Sequence, residues 1–192
     1  MIRAIGLYIF FLYFYIEYWG KVKFNGFTVI YTFKGSSICL GEGILINSSF
    51  LSNLLGLYQR TIIVARYGGK ITIGNNCGIS GSTIYSMEEI TIGNNVIIGG
   101  NCKIVDNDFH PLDCYKRNPQ SINDIGKKKI IIGDGCFIGA NSIVLKGTEL
   151  GYNCVVGAGS VVCGKFPDNV IIAGNPAKVI KQNSQKDKTE LL

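Results

Sequence analysis

The feature that most constrains this chain is a repeat of six. Bulky aliphatic residues recur at that spacing at Ile73 and Ile79, at Ile92, Ile98 and Ile104, and again at Ile132, Ile138, Val144, Leu150, Val156 and Val162. Glycine follows many of them, at Gly74, Gly93, Gly99, Gly133, Gly139, Gly151 and Gly157. Four places after an aliphatic stands a small side chain: Cys77, Val96, Cys102, Cys136, Ser142, Thr148, Cys154 and Ser160. Six matches neither the 3.6-residue turn of a helix nor the two-residue alternation of a long flat strand. It fits short strands joined by tight turns, a chain that coils on itself about every 18 residues and stacks its inward aliphatics on one another. The expected fold is therefore all-β, a parallel β-helix.

Composition narrows the reading. Of 192 residues, 47% are hydrophobic and 17% charged, which excludes a disordered or solvating chain. Glycine numbers 25 against 4 prolines with no Gly-X-Y period, so collagen is excluded and the glycines belong to corners, as do Asn75, Asn76, Asn94 and Asn95. Seven cysteines, an odd number without CxxC spacing, argue against disulfide staples or zinc and for a reducing cytoplasm. Four of them share the corner register, where a thiol is a compact hydrophobe. The net charge of +6 lies partly in residues 178–188, a local basic patch and not a nucleic-acid surface. The single histidine, His110, excludes any metal site or mechanism needing two per chain.

The repeat also stops informatively. Pro111 and Pro119 lie between Ile104 and Ile132, and Pro167 and Pro176 lie after Val162, so these segments are an extruded loop, 111–129, and a cap. A loop of that length is usually functional or disordered. Residues 1–34 read as an aromatic-rich, helix-like segment. Its uncharged run, Ala4 to Ile16, is shorter than the roughly 18 residues of a good membrane-spanning helix, and it lacks a cleavage site. Its aromatics suit packing against a partner subunit or peripheral membrane contact through residues 1–20. Residues 35–181 form the coil, irregular at 35–70, where only Leu40 and Ile46 keep the period and Ser52 breaks it. Residues 182–192 are a polar tail.

Several motifs carry a family resemblance: the IGNN and IGDG units, DFHPLD at 108–113, FIGANSIVLKG at 137–147, VVGAGSVV at 155–162 and IIAGNPAKVI at 171–180. Over roughly residues 36–181 the chain resembles the hexapeptide-repeat acyltransferases. It is most similar to the maltose and galactoside O-acetyltransferase group and its relatives that acetylate bacterial surface polysaccharides. The resemblance implies a left-handed parallel β-helix, acetyl-CoA as donor, a saccharide hydroxyl as acceptor, no metal, and a homotrimer with sites between subunits. It implies His110 as the catalytic histidine, Phe137 beside the pantetheine, and Ala140 and Ala158 at cofactor positions. Cys163 and Gly164 stand where the galactoside enzymes carry Thr-Lys, with Lys165 one place later. Lys178 and Lys181 match basic positions near the CoA phosphates. Ser80, Gly81 and Ser82 replace an asparagine-rich acceptor stretch.

The chemistry asks for the same parts. A neutral hydroxyl attacking a thioester needs a base matched to neutral pH, and His110 is the one imidazole available. Its other ring nitrogen needs an orienting acceptor, for which Asp108 is the first choice and Asp106 the second, although Asp-Asn-Asp is also turn chemistry. The oxyanion needs a fixed donor, and the amide of Gly139 or Ala140 is a candidate. Lys165, Lys178 and Lys181 could meet phosphates, while Lys127, Lys128 and Lys129 read as loop surface. The rival readings are a serine O-acetyltransferase, whose N-terminal helical domain has no room here, and a non-catalytic structural β-helix, for which flat threonine faces are expected. A γ-type carbonic anhydrase needs three histidines and is excluded.

Overall fold

The structure, a computed structural model, describes residues 22–118 and 121–183, with the backbone of residues 16–18. Three sheets make the sides of a prism. Face A stacks Ile16–Tyr18, Ser37–Leu40, Lys70–Ile73, Glu89–Ile92, Ile130–Ile132, Glu149–Leu150 and Lys165–Phe166. Face B stacks Lys23–Asn25, Leu45–Asn47, Gly78–Ser80, Ile97–Ile98, Phe137–Ile138, Val155–Val156 and Val170–Gly174. Face C stacks Val29–Thr32, Ile62–Ala65, Thr83–Ser86, Lys103–Val105, Ile143–Val144 and Val161–Val162. Because consecutive strands visit A, B and C in turn, each strand pairs in parallel with the strand three places along the chain. The result is the expected β-helix. Ala177–Gln182 folds back antiparallel on Val170–Gly174 and ends face B.

The six-residue register sets the core. On face B, Ile46, Ile79, Ile98, Ile138, Val156 and Ile172 are Cα partners in one inward file, each at most 1% exposed. Full burial of an aliphatic side chain is worth about 1.5–3 kcal/mol, so such files supply much of the driving force. The small side chains of the corner register are all buried, and six of them also donate to the next coil. Cys77 Sγ reaches Gly93 O, Cys102 Sγ reaches Gly139 O, Cys136 Sγ reaches Gly151 O and Cys154 Sγ reaches Pro167 O, all at 3.1–3.2 Å. Ser142 Oγ and Thr148 Oγ1 do the same to Gly157 O and Val162 O at 3.1 Å. The corner thiols are thus packing units that also tie one coil to the next.

Outward residues distinguish the faces. Face A shows polar rows such as Ser37, Lys70 and Glu89. Face B shows a mostly apolar row, Leu45, Gly78, Ile97, Phe137, Val155 and Ile171, that ends at Lys181.

Four expectations change. The sheets begin upstream of residue 35, since Lys23–Asn25 and Val29–Thr32 are already coil strands. Residues 35–70 are regular strands interrupted by one insertion at the B/C corner, and Ser52 breaks the period because it lies in the 3₁₀ turn Phe50–Ser52 of that insertion. In place of the expected helix-like segment, Ile16–Tyr18 is a strand paired with Ile38–Leu40 at the sheet edge; residues 1–15 and 19–21 lie outside the described residues. The hairpin strand Ala177–Gln182 runs one residue past the expected boundary at 181, and residues 184–192 lie outside the described residues. Among the described residues no helix is long and apolar enough to cross a membrane.

Candidate active site

His110 is exposed on the loop that leaves the coil at the corner between faces C and A. The loop base is built by Asp106, which is fully buried. Its carboxylate accepts from Ser86 Oγ at 2.6 Å, Met87 N at 2.8 Å, Glu88 N at 2.9 Å and Asn107 Nδ2 at 3.1 Å. The first three donors belong to the same corner one coil earlier, where the chain turns from face C to face A. Asn107 Oδ1 then accepts the Phe109 N–H at 2.9 Å, and Phe109 is held at φ 60° with its ring against Tyr85. His110 N–H donates to Asp108 O at 2.7 Å. On the far side Arg117 donates through Nε to Pro111 O and through Nη2 to Leu112 O. The backbone on both sides of the imidazole is therefore fixed.

The two aspartates separate cleanly. Asp106 is a corner anchor, its carboxylate occupied by turn donors, so it is corrected from candidate partner of the histidine to structural support. Asp108 is partly exposed, and both of its carboxylate oxygens meet Lys146 Nζ, a residue the sequence reading did not select. Lys146 follows strand Ile143–Val144 and reaches this corner from the next coil, a proximity that no local motif announces.

The cofactor candidates divide among three places. Phe137 lies on face B, 44% exposed, and Ala140 and Ala158 lie one coil apart on the adjoining B/C corner. Among the described residues no acceptor takes the N–H of Ala140 or Ala158, whereas Gly139 N–H is spent on Val156 O at 2.8 Å. Gly139 is thereby removed as an oxyanion donor. Lys178 and Lys181 are exposed on the hairpin that ends face B. Cys163 and Gly164 lie at the C/A corner and Lys165 on face A, where it pairs with Glu149 at 2.9 Å and holds that carboxyl below the usual range. One chain thus brings Phe137, Ala140, Ala158, Lys178 and Lys181 together on face B and its C-side edge, and sets Cys163, Gly164 and Lys165 apart.

Ser80 and Ser82 are corrected too. Both are buried: Ser80 Oγ accepts from Asn47 Nδ2 at 3.2 Å, and Ser82 Oγ donates within the corner and accepts the Cys102 N–H at 3.0 Å. They hold coils together and offer nothing to an acceptor. Burial pushes the Cys136 thiol up to about 12 and raises those of Cys77, Cys102 and Cys154, which suits packing and not nucleophilic attack.

A family model described as the hexapeptide repeat of succinyl-transferase matches residues 129–163. A Saccharomyces cerevisiae protein assigned as an acetyltransferase is 37% identical over 148 residues, which span 74% of this chain and 74% of that protein. The chain belongs to the hexapeptide-repeat acetyltransferases. As in that family, its β-helix is left-handed. Among solved hexapeptide-repeat structures, a galactoside acetyltransferase in complex with coenzyme A matches with a TM-score of 0.62 at 28% identity, over 80% of this chain and 68% of that one. The polySia-specific acetyltransferase NeuO matches with a TM-score of 0.56 at 27% identity, over 92% and 78%.

Proposed function

We propose that this acetyltransferase moves the acetyl group of acetyl-CoA to a hydroxyl of a saccharide acceptor in surface-polysaccharide synthesis, with His110 as general base. The observation that carries this is the fixed, exposed His110 on a chain whose B/C corner offers two unpaired amides beside an apolar row ending in lysines. The pantetheine arm is long, thin and partly apolar, which suits Phe137 and the row beside it. Ala158 N–H supplies a donor for one of its amide carbonyls, and Lys178 and Lys181 supply cations for the phosphates. Galactoside acetyltransferase binding coenzyme A on the same fold supports the donor. NeuO supports a polysaccharide acceptor.

In the reaction the neutral imidazole of His110 takes the acceptor hydroxyl proton as the oxygen attacks the thioester carbonyl carbon. The carbonyl oxygen becomes an oxyanion, for which the Ala140 amide is the available donor now that Gly139 is spent. Collapse breaks the carbon–sulfur bond, the imidazolium returns its proton to the leaving thiolate, and the products are the acetyl ester and CoA. Asp108 is the positioning residue: its carbonyl holds the His110 amide and its carboxylate is tied to Lys146.

His110 and Ala140 sit at opposite edges of face C, so the proposed site is completed between subunits of a homotrimer. Closed rotational symmetry uses two faces of each prism, and face A, with its polar rows, is the one suited to solvent. Labelled acetyl-CoA offered with a saccharide panel tests the activity. Transfer to protein or water alone would remove the saccharide reading, and a monomer by light scattering at micromolar concentration would remove the shared site.

A further inference from the structure

We propose that Arg66 recognises the acceptor by binding an oxyanion group on the saccharide, a carboxylate or a phosphate. The inference rests on the saccharide reading above and adds the charge of the substrate.

Arg66 follows strand Ile62–Ala65 at the C/A corner, two coils before the His110 loop base, and its N–H donates to Ser86 O on the coil between them at 3.0 Å. Its guanidinium carbon lies 4.3 Å from the Phe33 ring centroid and 4.7 Å from that of Tyr67, and those two rings are parallel within 6°. Tyr85 comes next. It stands on the neighbouring coil opposite Val64, beside the Arg66 backbone that bonds Ser86; burial raises its hydroxyl pKa and the Arg66 guanidinium opposes that rise. Tyr85 in turn touches Phe109 at 4.9 Å between centroids, and Phe109 precedes His110. A row of rings and one cation therefore leads along the outside of the coil to the proposed base.

The cation meets aromatic rings but no carboxylate. Arg66 makes no ion pair among the described residues, and its Nε is buried with no partner. The carboxylates nearest this corner are taken: Asp106 by the turn, Asp108 by Lys146 and Glu88 by Lys127. Cation–π contacts occupy the faces of a guanidinium and leave its edge for planar, bidentate recognition of a carboxylate or phosphate.

A second observation is independent of charge. Eight described non-glycine residues have positive φ, and six of them are asparagine, the residue that tolerates this conformation. The other two are Tyr67 at 54° and Phe109 at 60°, bulky aromatics at the C/A corner. Tyr67 is followed by Gly68, also at positive φ, in a turn where Asn-Gly is the preferred pair. Turn chemistry does not select tyrosine there; its ring against Arg66 does. Strain of this kind persists where a site requires it.

The test measures acetyl transfer by the full-length protein to three sets of oligosaccharides: uronate-containing, phosphorylated and neutral. Transfer is expected to favour one of the charged sets, and which one identifies the anion. Arg66→Gln should raise the KM for that acceptor about 10- to 100-fold, as loss of a charge-assisted hydrogen bond does, with acetyl-CoA affinity unchanged and partial rescue by Arg66→Lys. Tyr67→Asn, which restores the preferred turn residue, should leave the unfolding temperature the same or higher while raising the same KM. Equal use of neutral and charged acceptors, or a KM unmoved by both Arg66→Gln and Tyr67→Asn, would overturn the assignment and leave the saccharide reading intact. No transfer to any set, with acetyl-CoA bound normally, would overturn the saccharide reading and this inference with it.

Discussion

Replacing Asp106 by alanine should unfold the corner that carries His110. The carboxylate is fully buried and accepts four hydrogen bonds, two of them from the backbone amides of Met87 and Glu88. A hydrogen bond to a charged acceptor is worth about 1.5–3 kcal/mol, and a buried donor left without a partner costs about 1–3 kcal/mol. Counting the two backbone amides alone gives a loss of about 3 kcal/mol, and the hydroxyl of Ser86 brings it toward about 5 kcal/mol, at the severe end of single substitutions. Asp106→Asn keeps one oxygen but turns the other toward the donors as an amide, so about half of that loss is expected. The measurement is denaturant unfolding at fixed protein concentration, since the stability of the proposed trimer depends on it. Turnover should fall in proportion to the folded fraction, with a further loss because Asn107 sets Phe109 through the same network. Unchanged stability combined with a collapse of turnover would show that Asp106 acts on His110 in the reaction, and would refute the anchor reasoning.

Other outcomes follow from the same geometry. His110→Ala should keep the fold and the acetyl-CoA affinity while lowering turnover about 100- to 10,000-fold, and Asp108→Asn should cost less; near-normal turnover of His110→Ala on a proven acceptor would end the general-base proposal. Replacing both Lys178 and Lys181 by alanine should raise the KM for acetyl-CoA more than for its dephospho form, and equal effects would make them ordinary surface charges. A thiol reagent at pH 8 should label Cys114 and Cys163 in the native protein, both exposed, and reach Cys77, Cys102, Cys136 and Cys154 only after unfolding. Because burial raises the Cys136 thiol from 9.0 to about 12, its contribution to stability is complete below about pH 9 and is lost as pH rises toward 12, which alkaline unfolding followed by circular dichroism measures.

The repeat of six determined the coil by itself. An aliphatic every six places, with a small residue four places on, has one way to bury its apolar set, and Ile138, Val144, Cys136 and Ser142 are buried where that reading puts them. The loop was legible for a related reason, since prolines and polar residues interrupt a pattern that resumes at Ile132 and holds through Val162. His110 was legible because it is the single imidazole. What the sequence left open is what depends on neighbours one coil away. In Asp-Asn-Asp the two carboxylates are chemically alike, and only the stacked corner at Ser86, Met87 and Glu88 makes one an anchor, while Lys146, 38 residues on, claims the other. Ser80 and Ser82 stand where the resemblance puts an acceptor stretch, and the corner turns them inward. Arg66, Tyr85 and Phe109 lie far apart in the chain and side by side in space, because a solenoid brings together residues a full coil apart, and only the register between coils decides which ones meet.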